Sequence, residues 1–126
     1  KPDVSAPPRS RLSQLLSSTQ QEIESQYALY DYYRPEHPSV LRALQKVVRI
    51  AGEFDKPISI CGEMGHDPAM IPFLLGIGIR RLSIDPQFMP AVHRCISGLT
   101  MDACREQARE LTAAGSLRAV KAILEP

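Results

Sequence analysis

Over its last two-thirds the chain alternates between apolar residues at helical spacing and two short β-branched runs. Val40, Leu41, Leu44, Val47, Val48 and Ala51 fall on one face of a helix, with Pro38 suited to its first turn and Gly52 near its end. Lys56-Pro57 leads into Ile58-Ser59-Ile60-Cys61, a run closed by Gly62, which predicts a buried strand with a sharp turn behind it. Pro68 and the apolar run through Leu75 predict a second helix ended by a Gly76-Ile77-Gly78 turn, and Arg81-Leu82-Ser83-Ile84 a second strand. Three helices follow: one opened by Pro90 and bearing Ala91, Val92, Cys95 and Ile96, and one capped by Thr100 and bearing Cys104, Ala108 and Leu111. Ser116 begins the last, with Leu117, Val120, Ile123 and Leu124 inward. This order is the pattern of parallel βαβ units. Two strands make no stable sheet alone, so further strand is expected from the N-terminal third or from another chain.

The first third reads differently. Lys1 to Arg11 carries Pro2, Pro7 and Pro8 among Ser, Ala and Arg, with few apolar groups to offset the entropy of ordering, and reads as a linker or tail. Between Leu12 and Tyr33, Leu12, Leu15 and Leu16 have helical spacing, and Ser17-Ser18-Thr19 suits a cap for a helix starting at Gln20. Tyr27, Tyr30, Tyr32 and Tyr33 with Arg34 suit a recognition patch or an aromatic lid over a strand edge. Residues 1–28 are therefore set apart as a linker or unassigned segment, and 29–126 as the domain.

Composition narrows the function classes. The 126 residues are one domain's worth of material, and 15 basic against 14 acidic residues leave a formal charge of +1. Nothing in that balance suggests nucleic acid or an anionic membrane as a partner. No apolar run approaches the roughly 20 residues that span a bilayer; Arg80-Arg81 interrupts the longest candidate, Ile71 to Ile79. The three cysteines are an odd number, and no apolar secretory segment accompanies the start Lys1-Pro2-Asp3. A reducing cytoplasm and a piece of a longer chain are expected.

The chemistry-bearing stretch is Ile60-Cys61-Gly62-Glu63-Met64-Gly65-His66-Asp67-Pro68. It puts a thiol, two carboxylates and an imidazole in one turn at the C-terminal end of a strand. Taken alone, Cys61 suits a buried, inert thiol, and Glu63 and Asp67 suit capping of the helix opening at Pro68; for Asp67 capping is the preferred reading. One Cys and one His fall short of the about four ligands of a zinc site. His93 and Cys95, two apart on a helix, point apart, and Gly76-x-Gly78 lacks the third glycine of a dinucleotide fingerprint.

That turn, the Leu74-Leu75-Gly76-Ile77-Gly78 run and Leu82-Ser83-Ile84, preceded by Leu29-Tyr30-Asp31 and His37-Pro38-Ser39-Val40-Leu41-Arg42, resemble enzyme I of the sugar phosphotransferase system, a phosphoenolpyruvate-utilising enzyme. The resemblance covers residues 29 to 126. It implies an α/β fold, the last βα units of an incomplete (β/α)8 TIM barrel followed by C-terminal helices; a whole barrel takes about 250 residues. It also implies that Cys61 is the acid/base exchanging a proton at the methylene carbon of enolpyruvate, while phosphate passes between phosphoenolpyruvate and a protein histidine. By the same resemblance Gly62 and Glu63 shape the turn and line the pocket, and Arg34 matches the substrate arginine. The resemblance further implies a parent enzyme that uses Mg2+, phosphoenolpyruvate or pyruvate and a phosphocarrier protein, and that dimerises through its barrel.

Two departures stand out. Gly65-His66 replaces the family's Ala-Gly, putting an imidazole where there is normally no side chain. The family's Gly-Thr-Asn-Asp strand matches Ser18-Thr19-Gln20-Gln21-Glu22, without the phosphate-binding Asn and the metal-binding Asp. The expected function is thus part of a phosphoenolpyruvate–protein phosphotransferase, inactive by itself and with no metal of its own. The alternatives are a degenerate barrel remnant used for dimerisation or ligand binding, and an unrelated small α/β domain. Because a few βα units cannot close a barrel, Ile58, Ile60, Leu82 and Ile84 are expected to face water in a monomer and to drive a two-fold dimer.

Overall fold

The computed structural model describes Gln21, which is helical, and residues 34–125. The proline-rich start, the expected cap at Ser17-Ser18-Thr19 and the tyrosine cluster lie outside the described residues. The chain divides into two compact units, Lys1–Arg34 and Pro35–Pro126. The second contains α1 (Pro38–Glu53), β1 (Ile60–Cys61), a 3-10 turn (Glu63–Gly65), α2 (Ile71–Ile77) and β2 (Leu82–Ser83). A second 3-10 turn (Pro86–Phe88) and the helices α3 (Met89–Ser97), α4 (Met101–Ala113) and α5 (Leu117–Leu124) complete it.

Short polar side chains cap two of the five described α-helices. The hydroxyls of Thr100 and Ser116 accept from the backbone N–H groups of Ala103 (3.3 Å) and Ala119 (3.2 Å), the expected caps of α4 and α5. At α1, Pro38 fills the first turn, and the Nδ1 of His37 accepts from the Ser39 N–H at 3.2 Å. α2 begins later than expected, at Ile71 rather than Pro68. The reason is Asp67, whose carboxylate accepts from the Ala69 N–H at 2.9 Å and whose carbonyl accepts from Met70 and Ile71, both at 3.0 Å. Those bonds wind residues 67–70 into a turn ahead of the helix.

The two strands pair in parallel, Ile60 opposite Leu82 and Cys61 opposite Ser83. Each is half the expected length, because only these residues form a two-sided ladder. The described residues thus make a helix-rich α/β unit with one two-stranded parallel sheet. Its core holds Leu41, Val48, Met64, Met70, Phe73, Leu74, Ile79, Ala108, Leu111 and Val120.

Gly76 lies inside α2, not in a turn; Gly78 alone ends the helix, with φ 114°. A Cβ on Gly76 would lie 2.1 Å from the carbonyl oxygen of Cys104 and 2.8 Å from the Ala108 Cβ, so α2 and α4 cross there almost backbone to backbone. Ile58, Ile60 and Leu82 pack on the helical core, and Ile84 approaches Gly65. The row is thus partly buried rather than facing water as expected, and Ser59, Cys61, Arg81, Ser83 and Asp85 alternate with it as exposed residues. α1 also buries less than expected: Leu41 and Val48 are inside, while Val40 and Val47 stay exposed beside Ile50 and Phe54.

Candidate functional site

Cys61 is the last residue of β1, and its thiol is exposed on the sheet face away from the helices. The chain must then reverse sharply, and Gly62 allows it with φ 83° and ψ −169°, a region closed to side chains in practice. The next turn is closed by its own backbone: Gly65 donates to the Gly62 carbonyl, and His66 and Asp67 both donate to that of Glu63, each at 3.1 Å. Met64 and Gly65 are its buried anchor. A Cβ at Gly65 would meet the Ile84 side chain at 3.3 Å, so a small residue is what the packing accepts. Glu63 remains exposed at the opening of the turn.

Beside it lies the turn that follows β2. Ser83, in register with Cys61, is exposed, and the Asp85 carboxylate accepts from the Gln87 N–H at 3.1 Å. The two turns meet through their side chains: the imidazole of His66 lies parallel to the ring of Phe88, centroids 3.9 Å apart and planes 6° apart. Asp67 is engaged in the turn ahead of α2, whose N-cap is Met70 with no side-chain cap bond, so it does not cap the helix as expected. Sequence reasoning passed over Phe88 and Ser83. The unexplained His66 was the available signal, but nothing local points from it to a ring beyond the next strand.

Of the residues expected at a site, the fold brings Cys61, Gly62 and Glu63 together at the C-terminal edge of the sheet. Arg34 is the last residue of the other unit. The remaining thiols are placed differently: Cys104 is buried, and Cys95 is partly buried with its Sγ 3.9 Å from the Pro68 carbonyl oxygen. Burial, then the neighbouring Cys104 and Asp67, push the Cys95 thiol pKa up, which keeps it protonated and sluggish. Among the described residues no three His, Cys, Asp or Glu side chains gather to hold a metal ion, so they do not by themselves fit Mg2+. Nor is any described helix long and apolar enough to cross a membrane. A cleft of about 230 Å³ opens elsewhere, between Glu36, Asp67, Met70, Lys121, Leu124 and Glu125, without reaching Cys61, Gly62 or Glu63 among its walls.

An exposed thiol at the C-terminal end of a parallel strand, on a tight glycine turn, is the layout of an α/β protein that builds its site on βα loops. Residues 12–101 match the family described as PEP-utilising enzyme, PEP-binding domain, and the chain belongs to that family. It is 39% identical over 92 residues to multiphosphoryl transfer protein 1 of Escherichia coli, covering 73% of this chain and 11% of the relative. It is 48% identical over 50 residues to the phosphoenolpyruvate-protein phosphotransferase of Chlamydia trachomatis, covering 40% of this chain and 9% of that one. The Staphylococcus aureus phosphoenolpyruvate-protein phosphotransferase shares 34% over 76 residues, covering 60% and 13%. The chain thus spans about a tenth of the length of these relatives.

Proposed function

We propose that this chain supplies the Cys61 turn of a phosphoenolpyruvate- and pyruvate-binding (β/α)8 barrel in a cytoplasmic phosphoenolpyruvate–protein phosphotransferase. The observation that carries the reading is the exposed Cys61 thiol on the Gly62 turn, inside the segment matched to the PEP-binding family. In the reaction the P–O bond of phosphoenolpyruvate breaks as a P–N bond forms to a protein histidine, which leaves the enolate of pyruvate. Cys61 then gives its proton to the methylene carbon. A C–H bond forms there, the enolate C–O becomes a carbonyl, and the thiolate left behind takes a proton from water. Glu63, at the opening of the turn, lines the pocket, with Arg34 as the arginine for substrate.

A phosphocarrier protein as acceptor and a homodimer belong to the same reading. Mg2+ in the parent enzyme would neutralise phosphoryl charge; the residues described here do not hold it, and no step above runs through it. The chain alone is expected to transfer no phosphate. A second reading, a non-catalytic remnant for dimerisation or ligand binding, draws on His66 standing where the family has no side chain.

Substitution of residues 29–126 for the corresponding segment of the Escherichia coli multiphosphoryl transfer protein 1, with that protein's own segment kept opposite residues 1–28, tests the choice. The hybrid is expected to transfer phosphate from phosphoenolpyruvate to a protein histidine, and the Cys61→Ala hybrid to lose net turnover. A hybrid that folds, by circular dichroism, yet transfers nothing would favour the remnant. Transfer by the isolated chain would contradict the proposal from the other side.

A further inference from the structure

We infer that His66 is a positioning residue whose stack on Phe88 clamps the Cys61 turn to the turn after β2; its catalytic meaning rests on the reading of Cys61 given above. Beyond the paired ends of the strands, Cys61 and Ser83, each turn is closed by its own local bonds. The first uses the Gly62 and Glu63 carbonyls; the second uses Asp85, whose carbonyl accepts from Phe88 at 3.0 Å and whose carboxylate accepts from Gln87. The hydrogen bonds found among the described residues do not cross from one turn to the other.

What crosses is apolar contact: Gly65 against Ile84 at the base, and the two parallel rings of His66 and Phe88. Rings with centroids 3.9 Å apart and planes within 6° are in face-to-face van der Waals contact over most of their area, which resists sliding and tilting of either turn. Gly62 is the natural hinge, because it has no side chain to restrain it and so adopts a φ of 83° at no steric cost. Cys61 sits immediately before that hinge. Removing either ring takes away the outer restraint on the 63–67 segment, which then loosens about Gly62 while Met64 stays in the core, and the surroundings of the thiol change with it. Replacing the family's missing side chain by an imidazole thus adds a clasp to the turn instead of merely obstructing it.

A double-mutant cycle on the chain itself tests the clasp, with His66→Gln, Phe88→Leu and the pair. The readouts are amide hydrogen exchange across 63–67 and the alkylation rate of Cys61 by iodoacetamide, with circular dichroism confirming the fold. Each single change is expected to raise exchange across 63–67 several-fold and to shift the Cys61 rate, while the buried Cys104 stays unlabelled. The pair should do no more than either change alone, and His66→Phe, which keeps a ring, should restore the parent values. Unchanged exchange in the single variants, or effects that multiply in the pair, would overturn the clasp. Coupling in the cycle alongside an inactive hybrid would remove the phosphotransferase reading and leave the clasp standing; the reverse result would do the opposite.

Discussion

The three cysteines show how position decides the chemistry of one residue type. Cys61 is exposed, Cys95 partly buried and Cys104 buried, so a limiting alkylating reagent should label them in that order, as followed by peptide mass spectrometry. Labelling of Cys104 first would remove Cys61 from the site. The Cys95 profile against pH should have its midpoint above that of an unperturbed thiol, because burial raises its pKa. With the folded value raised, the folded chain keeps a proton that the unfolded chain releases, and Cys95 makes stability fall as pH rises through that window. Part of this was legible beforehand: Cys61 ends a strand beside a polar turn, whereas Cys104 shares a helical stripe with Ala108 and Leu111. The neighbours of Cys95 were not, since the Pro68 carbonyl reaches it from a distant part of the chain. The partner of His66 was hidden for the same reason.

Among the elements, the crossing of α2 on α4 is the least tolerant contact. Gly76→Ala would drive a methyl into the Cys104 carbonyl and the Ala108 side chain, and neither helix backbone can yield without moving the buried Phe73 and Leu74. Overpacking of this kind costs about 3 kcal/mol, which urea titration would register as a lower midpoint at unchanged slope. A midpoint within error of the parent would mean that the helices lie farther apart. Thr100→Ala, which removes the cap of α4, should cost about 1 kcal/mol in the same assay. The caps and the order of the helices could be read because they depend on residues close in sequence. The Gly76 contact could not, because its meaning comes from another helix. Strand length failed for a related reason: Ile58 and Ile84 have strand character, but a ladder needs partners, and only Ile60–Cys61 and Leu82–Ser83 have them.

At the scale of the whole molecule, self-association is expected through a different surface from the one the sequence suggested. The row of Ile58, Ile60 and Leu82 is partly buried against the core, whereas α1 and its C-cap expose Val47 (54%) and Phe54 (69%) at a seven-residue spacing that starts at Val40. A seam of that period is what a second helix covers well. The Val47→Glu, Phe54→Glu double variant should lower the association state in light scattering without loss of helicity; a parent chain that stays monomeric at high micromolar concentration would contradict it. The account rests above all on Cys61 as the proton donor to enolpyruvate. The direct measurement is deuterium uptake into the methyl group of pyruvate, followed by proton NMR in heavy water, in the hybrid phosphotransferase carrying this sequence. Exchange in the parent hybrid that drops at least about a hundredfold in Cys61→Ala is the predicted result, the scale of one acid/base group; equal exchange in the two proteins would contradict the account.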